Sequence, residues 1–167
     1  MTREIELLDN SKYLSLHQLS EPRDNSLRIV VDQAVLNPGQ RLRPEVKDET
    51  LAKLLSEAVP IETVPGCKRF ELYWQHYIAY LVTEECVGSC GSYEDEVFSG
   101  KILRRYTKSH FLEHLARDTG GHFEPIQHFK LLCLNHLIDI AALEPPVITI
   151  TEPQFTNHQS QIPNRTV

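Results

Sequence analysis

The chain has 167 residues, with 17 Lys and Arg against 23 Asp and Glu, a formal charge of −6 and a pI near 5.7. That balance argues against a nucleic-acid footprint, which needs a dominant basic patch, and no apolar run approaches the roughly 18 to 20 residues of a membrane helix. A hydrophobic share of 41% with 24% charged residues fits one soluble globular domain, expected over 1–151.

The start, Met1-Thr-Arg-Glu-Ile-Glu-Leu-Leu8, puts acids where a secretory signal has a basic and then an apolar region, so a cytoplasmic location is expected. A short strand is expected at Tyr13–Leu19, then a turn over Glu21–Ser26. Leu27 to Leu36 alternates, with Leu27, Ile29 and Val31 on one face and Arg28 and Asp32 on the other, and reads as a strand ended by Asn37-Pro-Gly39. A helix is predicted over Pro44–Ala58, with Pro44 in its first turn and Leu51, Leu54, Leu55 and Ala58 as its buried stripe. Pro60 prevents its continuation, and Ile61–Val64 is a further short strand.

Phe70, Leu72 and Trp74 share one face and Glu71, Tyr73 and Gln75 the other, the period of a half-buried strand. Residues 77–82 are apolar or aromatic on both faces, which predicts a strand covered on both sides and central to its sheet. The two strands are expected to form a hairpin turning at Gln75-His76. A 17-residue loop follows, Glu84 to Gly100, a length that marks a functional or mobile segment. Then come a strand at 101–106, carrying Lys101, Arg104 and Arg105, and a helix at 107–119 capped by Gly120-Gly121. Phe111, Leu112, Leu115 and Ala116 make its inner face. Residues 129–140 read as one buried strand, with Leu132, like Trp74, a core residue. Val147–Thr151 adds an edge strand, and the polar residues 152–167 are expected to be disordered.

The strings Phe70-Glu-Leu-Tyr-Trp74 with Tyr77-Ile-Ala-Tyr80, Leu103-Arg-Arg-Tyr-Thr-Lys-Ser109 with Phe111-Leu112, and His128-Phe-Lys-Leu-Leu-Cys-Leu-Asn-His-Leu-Ile-Asp139 resemble a family of small uncharacterised bacterial proteins. Some members are similar to the immunity-type proteins that accompany toxins. The likeness covers residues 69–147 and has no catalytic motif to transfer. It implies a role as an inhibitor of a partner protein and no active site.

Charge is segregated along the chain. Between Phe70 and Gly100 lie six acids (Glu71, Glu84, Glu85, Glu94, Asp95, Glu96) and no Lys or Arg, so the whole net charge comes from this window. It also holds seven aromatics, and acids with aromatic anchors suit a basic protein partner: charge raises the on-rate while desolvated rings supply affinity. The partner-binding residues expected are Glu84, Glu85, Tyr93, Glu94, Asp95, Glu96 and Phe98. The plainer reading is a solvated loop that keeps the protein soluble, with Lys101, Arg104, Arg105 and Lys108 as its counterweight.

Two motifs compete with that reading. His110-Phe-Leu-Glu113-His114 satisfies the inverted zincin pattern, in which histidines one helical turn apart reach one zinc and the glutamate serves as base. No third ligand is identifiable; Glu124, Asp139 and Glu144 are the candidates, and a solvated helix face explains the same residues. Cys86 and Cys90 have a spacing zinc tolerates but lack a second pair, with His76 the nearest addition. Cys67 and Cys133 sit in apolar surroundings and read as buried thiols. The sequence thus leads to an α+β fold: a mostly antiparallel sheet of five to seven strands with two packed helices. The function expected is a non-enzymatic, cofactor-free, immunity-type module for a basic protein partner such as a toxin, the alternative a zinc-dependent hydrolase.

Overall fold

The structure, a computed structural model, describes residues 2–39, 48–86, 93–122 and 125–153. The described residues form ten strands in two antiparallel sheets, with three helices around them. The α+β class and the antiparallel pairing stand, but the strands divide between two sheets where the sequence suggested one. No helix among the described residues is long and apolar enough to cross a membrane.

Sheet 1 contains β1 (Tyr13–Ser20), β2 (Leu27–Leu36), β4 (Arg69–Trp74) and β10 (Val147–Thr151) in that order, with β3 (Ile61–Glu62) against the end of β2. Sheet 2 has the order β5 (Tyr77–Glu84), β9 (His136–Ala142), β8 (Gln127–Leu132), β7 (Leu103–Lys108) and β6 (Val97–Ser99). Their inner faces share one core. Leu27, Ile29, Val31, Phe70, Leu72 and Trp74 of sheet 1 cluster with Leu103, Phe129, Leu131, Ile138 and Ile140 of sheet 2. The Trp74 and Phe129 rings meet across it at 6.0 Å. The alternation read in β4 holds, since Phe70, Leu72 and Trp74 are buried and the residues between them are half-buried.

The expected hairpin at Gln75-His76 does not form. β4 pairs with β2 and β10, β5 with β9, and the two residues carry the chain from one sheet to the other. Tyr77 N–H is held by the Asn25 carbonyl of the β1–β2 turn at 2.9 Å. Asn25 itself sits at φ 59°, a left-handed conformation that asparagine tolerates. Nor is β5 central: it is a terminal strand of sheet 2. A β-bulge between Tyr77 and Ala79 lets Tyr77 and Tyr80, three residues apart, both pack on the core. Leu81 and Val82 remain 51% and 40% exposed.

The apolar run 129–140 is likewise two strands. It breaks after Leu132 into the β8–β9 hairpin, whose turn is closed by Cys133 N–H on the His136 carbonyl at 2.9 Å. Leu132 is only half-buried, because Phe129 and Leu131 take the inward positions of β8. Burial pushes the Cys133 thiol up to about 12 and leaves it unreactive.

The helices lie at the periphery, since each sheet already covers the other. α1 (Arg3–Asp9), absent from the sequence reading, sends fully buried Leu8 into the core. The Asp9 carboxylate accepts the backbone N–H groups of Lys101, Ile102 and Leu103 at 3.0 to 3.2 Å. Gly100 beside it has φ +90°, and a Cβ there would stand 2.2 Å from the Leu103 carbonyl oxygen, so only glycine fits. α2 (Glu49–Glu57) is capped by Asp48, which accepts from Thr50 and Leu51 N–H. The side chain of Leu54 lies outside the described ones; of the other members of its expected stripe, Leu51 is 46% exposed, Leu55 half-buried and Ala58 exposed. The predicted first turn from Pro44 lies outside the described residues. α3 (His110–Asp118) does bury Leu115 and half-bury Phe111, Leu112 and Ala116. It ends as the glycines indicated. Gly120 and Gly121 have φ of 60° and 74°, and their N–H groups return to the Arg117 and Ala116 carbonyls.

The outward side of sheet 1 carries two ion pairs alongside buried Val30. Arg69 grips Asp32 with two hydrogen bonds of 2.6 and 2.7 Å, and Arg28 pairs with Glu71. The hydrogen bond from Arg28, larger than the opposing effect of partial burial, holds the Glu71 carboxyl below its ordinary value of 4.5. A carboxyl depressed in the folded state contributes stability that is complete above its ordinary value and lost as pH falls through the folded one. NMR titration should therefore place Glu71 below 4.5, and Arg28→Met should return it toward that value. No movement on removing Arg28 would sink the pairing.

Candidate functional site

The six acids of the 70–100 window have different fates. Glu71 belongs to sheet 1 and is paired with Arg28. Asp95 stands 3.6 Å from Lys108 Nζ and 3.1 Å from His110 Nε2. Partial desolvation pulls the Asp95 carboxyl upward, but its own backbone N–H, His110 and Lys108 outweigh it and leave the group below its ordinary value. Glu96 accepts the His110 backbone N–H at 3.1 Å, at the end of α3 where unpaired N–H groups and the helix dipole favour an anion. Glu84, Glu85 and Glu94 are exposed and have no ion pair among the described residues.

The aromatics divide similarly. Phe98 lies against Tyr106 at 5.1 Å with the Arg104 guanidinium 4.5 Å above its ring, so it fastens β6 to β7. Tyr93 is 65% exposed and sets its ring edge-on to His110 at 4.9 Å. Lys108 meets an acid of the window, as a counterweight would, while Arg104 packs on an aromatic ring instead.

These segments converge on a hollow of about 360 Å³ on the outer face of sheet 2. Leu81 and Thr83 of β5 form one wall, and Tyr93, Glu96, His110 and Phe111 the other. Its floor contains His128, Lys130, Leu137 and Asp139. Strand alternation puts His128 and Lys130 there, because Phe129 and Leu131 between them face the core.

The floor holds the group the sequence reading missed. His128 is 2% exposed, with Nδ1 2.9 Å from Ser109 Oγ and Nε2 2.8 Å from Asp139 Oδ1. Lys130 Nζ lies 3.5 Å from the same carboxylate oxygen. Tyr106 stacks on the imidazole at 4.4 Å and Phe111 covers it at 5.0 Å. A neutral imidazole with its proton on Nε2 satisfies every member: it donates to Asp139 and accepts the Ser109 hydroxyl proton.

The connectivity is that of a Ser-His-Asp triad, but the surroundings do not suit a nucleophile. Ser109 is 1% exposed, is not part of the hollow's wall, and accepts the Leu112 N–H as cap of α3. An electrophile has no approach to its Oγ. The group pins the start of α3 to sheet 2.

The metal candidates are dispersed. His110 addresses Asp95 and, at 3.5 Å, Glu113, while His114 addresses Asp118 at 3.4 Å. Asp139 belongs to the pin, Glu144 is exposed beside His76 at a different hollow, and Glu124 lies outside the described residues. Among the described residues no three His, Cys, Asp or Glu side chains are placed to hold a metal ion. Cys86 is exposed and Cys90 lies outside the described residues. His76 precedes β5 and Cys86 follows it, so a strand of roughly 25 Å separates the pair that the sequence brought together.

No protein family, curated protein or solved structure was found to match this chain.

Proposed function

We propose that the protein is a non-enzymatic binding module of immunity type, which occludes a basic protein partner by docking on the acidic side of sheet 2. One observation carries this reading: β5 and the segment at 93–96, the two ends of the long loop's surroundings, line the same hollow. Glu84, Glu85 and Glu94, acids without an ion pair among the described residues, adjoin its wall residues in the chain. Exposed Leu81, Tyr93 and Val97 supply apolar contact among them. Unpaired carboxylates steer a cationic surface at long range, and the exposed aromatic and aliphatic groups are what desolvation rewards on contact. Asp95, Glu96 and Phe98 have a supporting role here, since their charges and ring are engaged inside the fold.

The test is capture of a partner from the native cell by wild type and by a variant carrying Glu84→Gln, Glu85→Gln and Glu94→Gln. The variant is expected to recover much less of the partner, and Tyr93→Ala to release it about tenfold faster. Equal recovery of the same partner by both proteins would reduce the acids to a solubility device.

A further inference from the structure

We infer that the free edge of β5 takes up an extended, lysine- or arginine-rich segment of a protein partner as a sixth strand of sheet 2. The inference rests on the acidic-surface reading and adds to it a mode of binding.

Among the described residues β5 ends the sheet, and its backbone is paired on one side only, with β9. At its ends Tyr77 N–H goes to Asn25 and Glu85 N–H to Asn135; between them, from 78 to 84, no backbone group has a partner beyond β9 among the described residues. An unpaired row of N–H and C=O groups is a template for another strand unless something blunts it. The other terminal strands are blunted. β6 has three residues, α1 packs beside β10, and β1 carries a bulge between Leu16 and Gln18, where His17 and Gln18 are exposed. β5 has eight residues, no Lys or Pro, and a bulge confined to its first turn of pleat. Leu81 and Val82 are exposed on its two faces.

Charge selects the occupant. A second copy pairing edge to edge would offer Glu84 and Glu85 no cation, because 70–100 contains no Lys or Arg. A basic strand neutralises these carboxylates instead. Main-chain bonds to β5 would provide affinity, and the side chains alternating beside Leu81 and Val82 would provide specificity. Alternate basic and aliphatic residues meet both demands.

The probe is a blocked eight-residue peptide of alternating Lys and Val, compared with the same peptide N-methylated throughout and with a Glu-Val counterpart. Binding is read by anisotropy, and amide exchange by NMR on the whole protein. The Lys-Val peptide is expected to slow amide exchange within 78–84 by about tenfold or more, N-methylation to weaken binding by about as much, and the Glu-Val peptide not to bind. Salt-dependent binding that leaves 78–84 unprotected, or that survives N-methylation, overturns the edge and leaves the acidic surface standing. Failure of the Lys-Val peptide to bind at millimolar concentration also overturns the edge. Concentration-dependent dimerisation that itself protects 78–84 would give the edge to a second copy and overturn the basic occupant.

Discussion

Trp74→Ala is expected to destabilise the fold by about 3 to 5 kcal/mol, the range for removing a fully buried large aromatic. Trp74 is 1% exposed and meets Phe129 of the opposite sheet. The comparison with Phe129→Ala and the double variant is the informative part. Rings in tilted contact are coupled by about 0.5 to 1.5 kcal/mol beyond area burial, so the two losses should not add. Urea melts followed by circular dichroism give all three values, which matters because Trp74 is the chain's single tryptophan. Additivity within a few tenths of a kcal/mol would mean that the two sheets do not meet at this point. Leu132→Ala, by contrast, touches a half-buried side chain and should destabilise much less than Leu131→Ala.

His128→Ala should be comparably severe, about 3 to 5 kcal/mol, because it strips a buried carboxylate and a buried hydroxyl of their partner as well as leaving a void. Ser109→Ala removes the cap and one bond of the pin and should destabilise by about 1 to 2 kcal/mol. Both should speed amide exchange in α3 more than in β2, since the pin ties the helix start to sheet 2. A near-neutral His128→Ala would contradict a structural pin. So would stoichiometric labelling of Ser109 by a fluorophosphonate in the native protein, which would restore the triad as chemistry.

The strands were readable where apolar and polar residues alternate. β2 and β4 announce themselves in this way, and α3 by its stripe and its two glycines. Which strands pair was less legible, because partners are chosen by contacts distant in sequence. Even so, Gln75-His76 lacks the Asn or Gly that a two-residue hairpin turn requires, and that signal already spoke against a hairpin. Asn135, exposed between two apolar runs, marks the turn inside 129–140 in the same way. The exposure of Leu51 on α2 had no local signal, since what covers a helix depends on faces the sheets have already filled. For the proposed site, the residues offered by the acidic window and exposed in the structure are Glu84, Glu85, Tyr93 and Glu94. The spending of Asp95 and Glu96 at the start of α3 depends on where that helix ends up. The pin was half visible: period 2 puts His128 and Lys130 opposite Phe129 and Leu131, but nothing in the sequence joins them to Ser109 and Asp139.

The acidic side of sheet 2 as a docking surface is tested most directly by one quantity, the association rate of the captured partner as a function of ionic strength. Charges separated by more than about 8 to 10 Å are screened near physiological salt, so steering by unpaired carboxylates must fade as salt rises. Wild type should show a steep fall in association rate. The variant with Glu84→Gln, Glu85→Gln and Glu94→Gln should start lower and fall less, with dissociation little changed. Identical slopes for the two proteins would contradict the assignment of the docking surface to these residues.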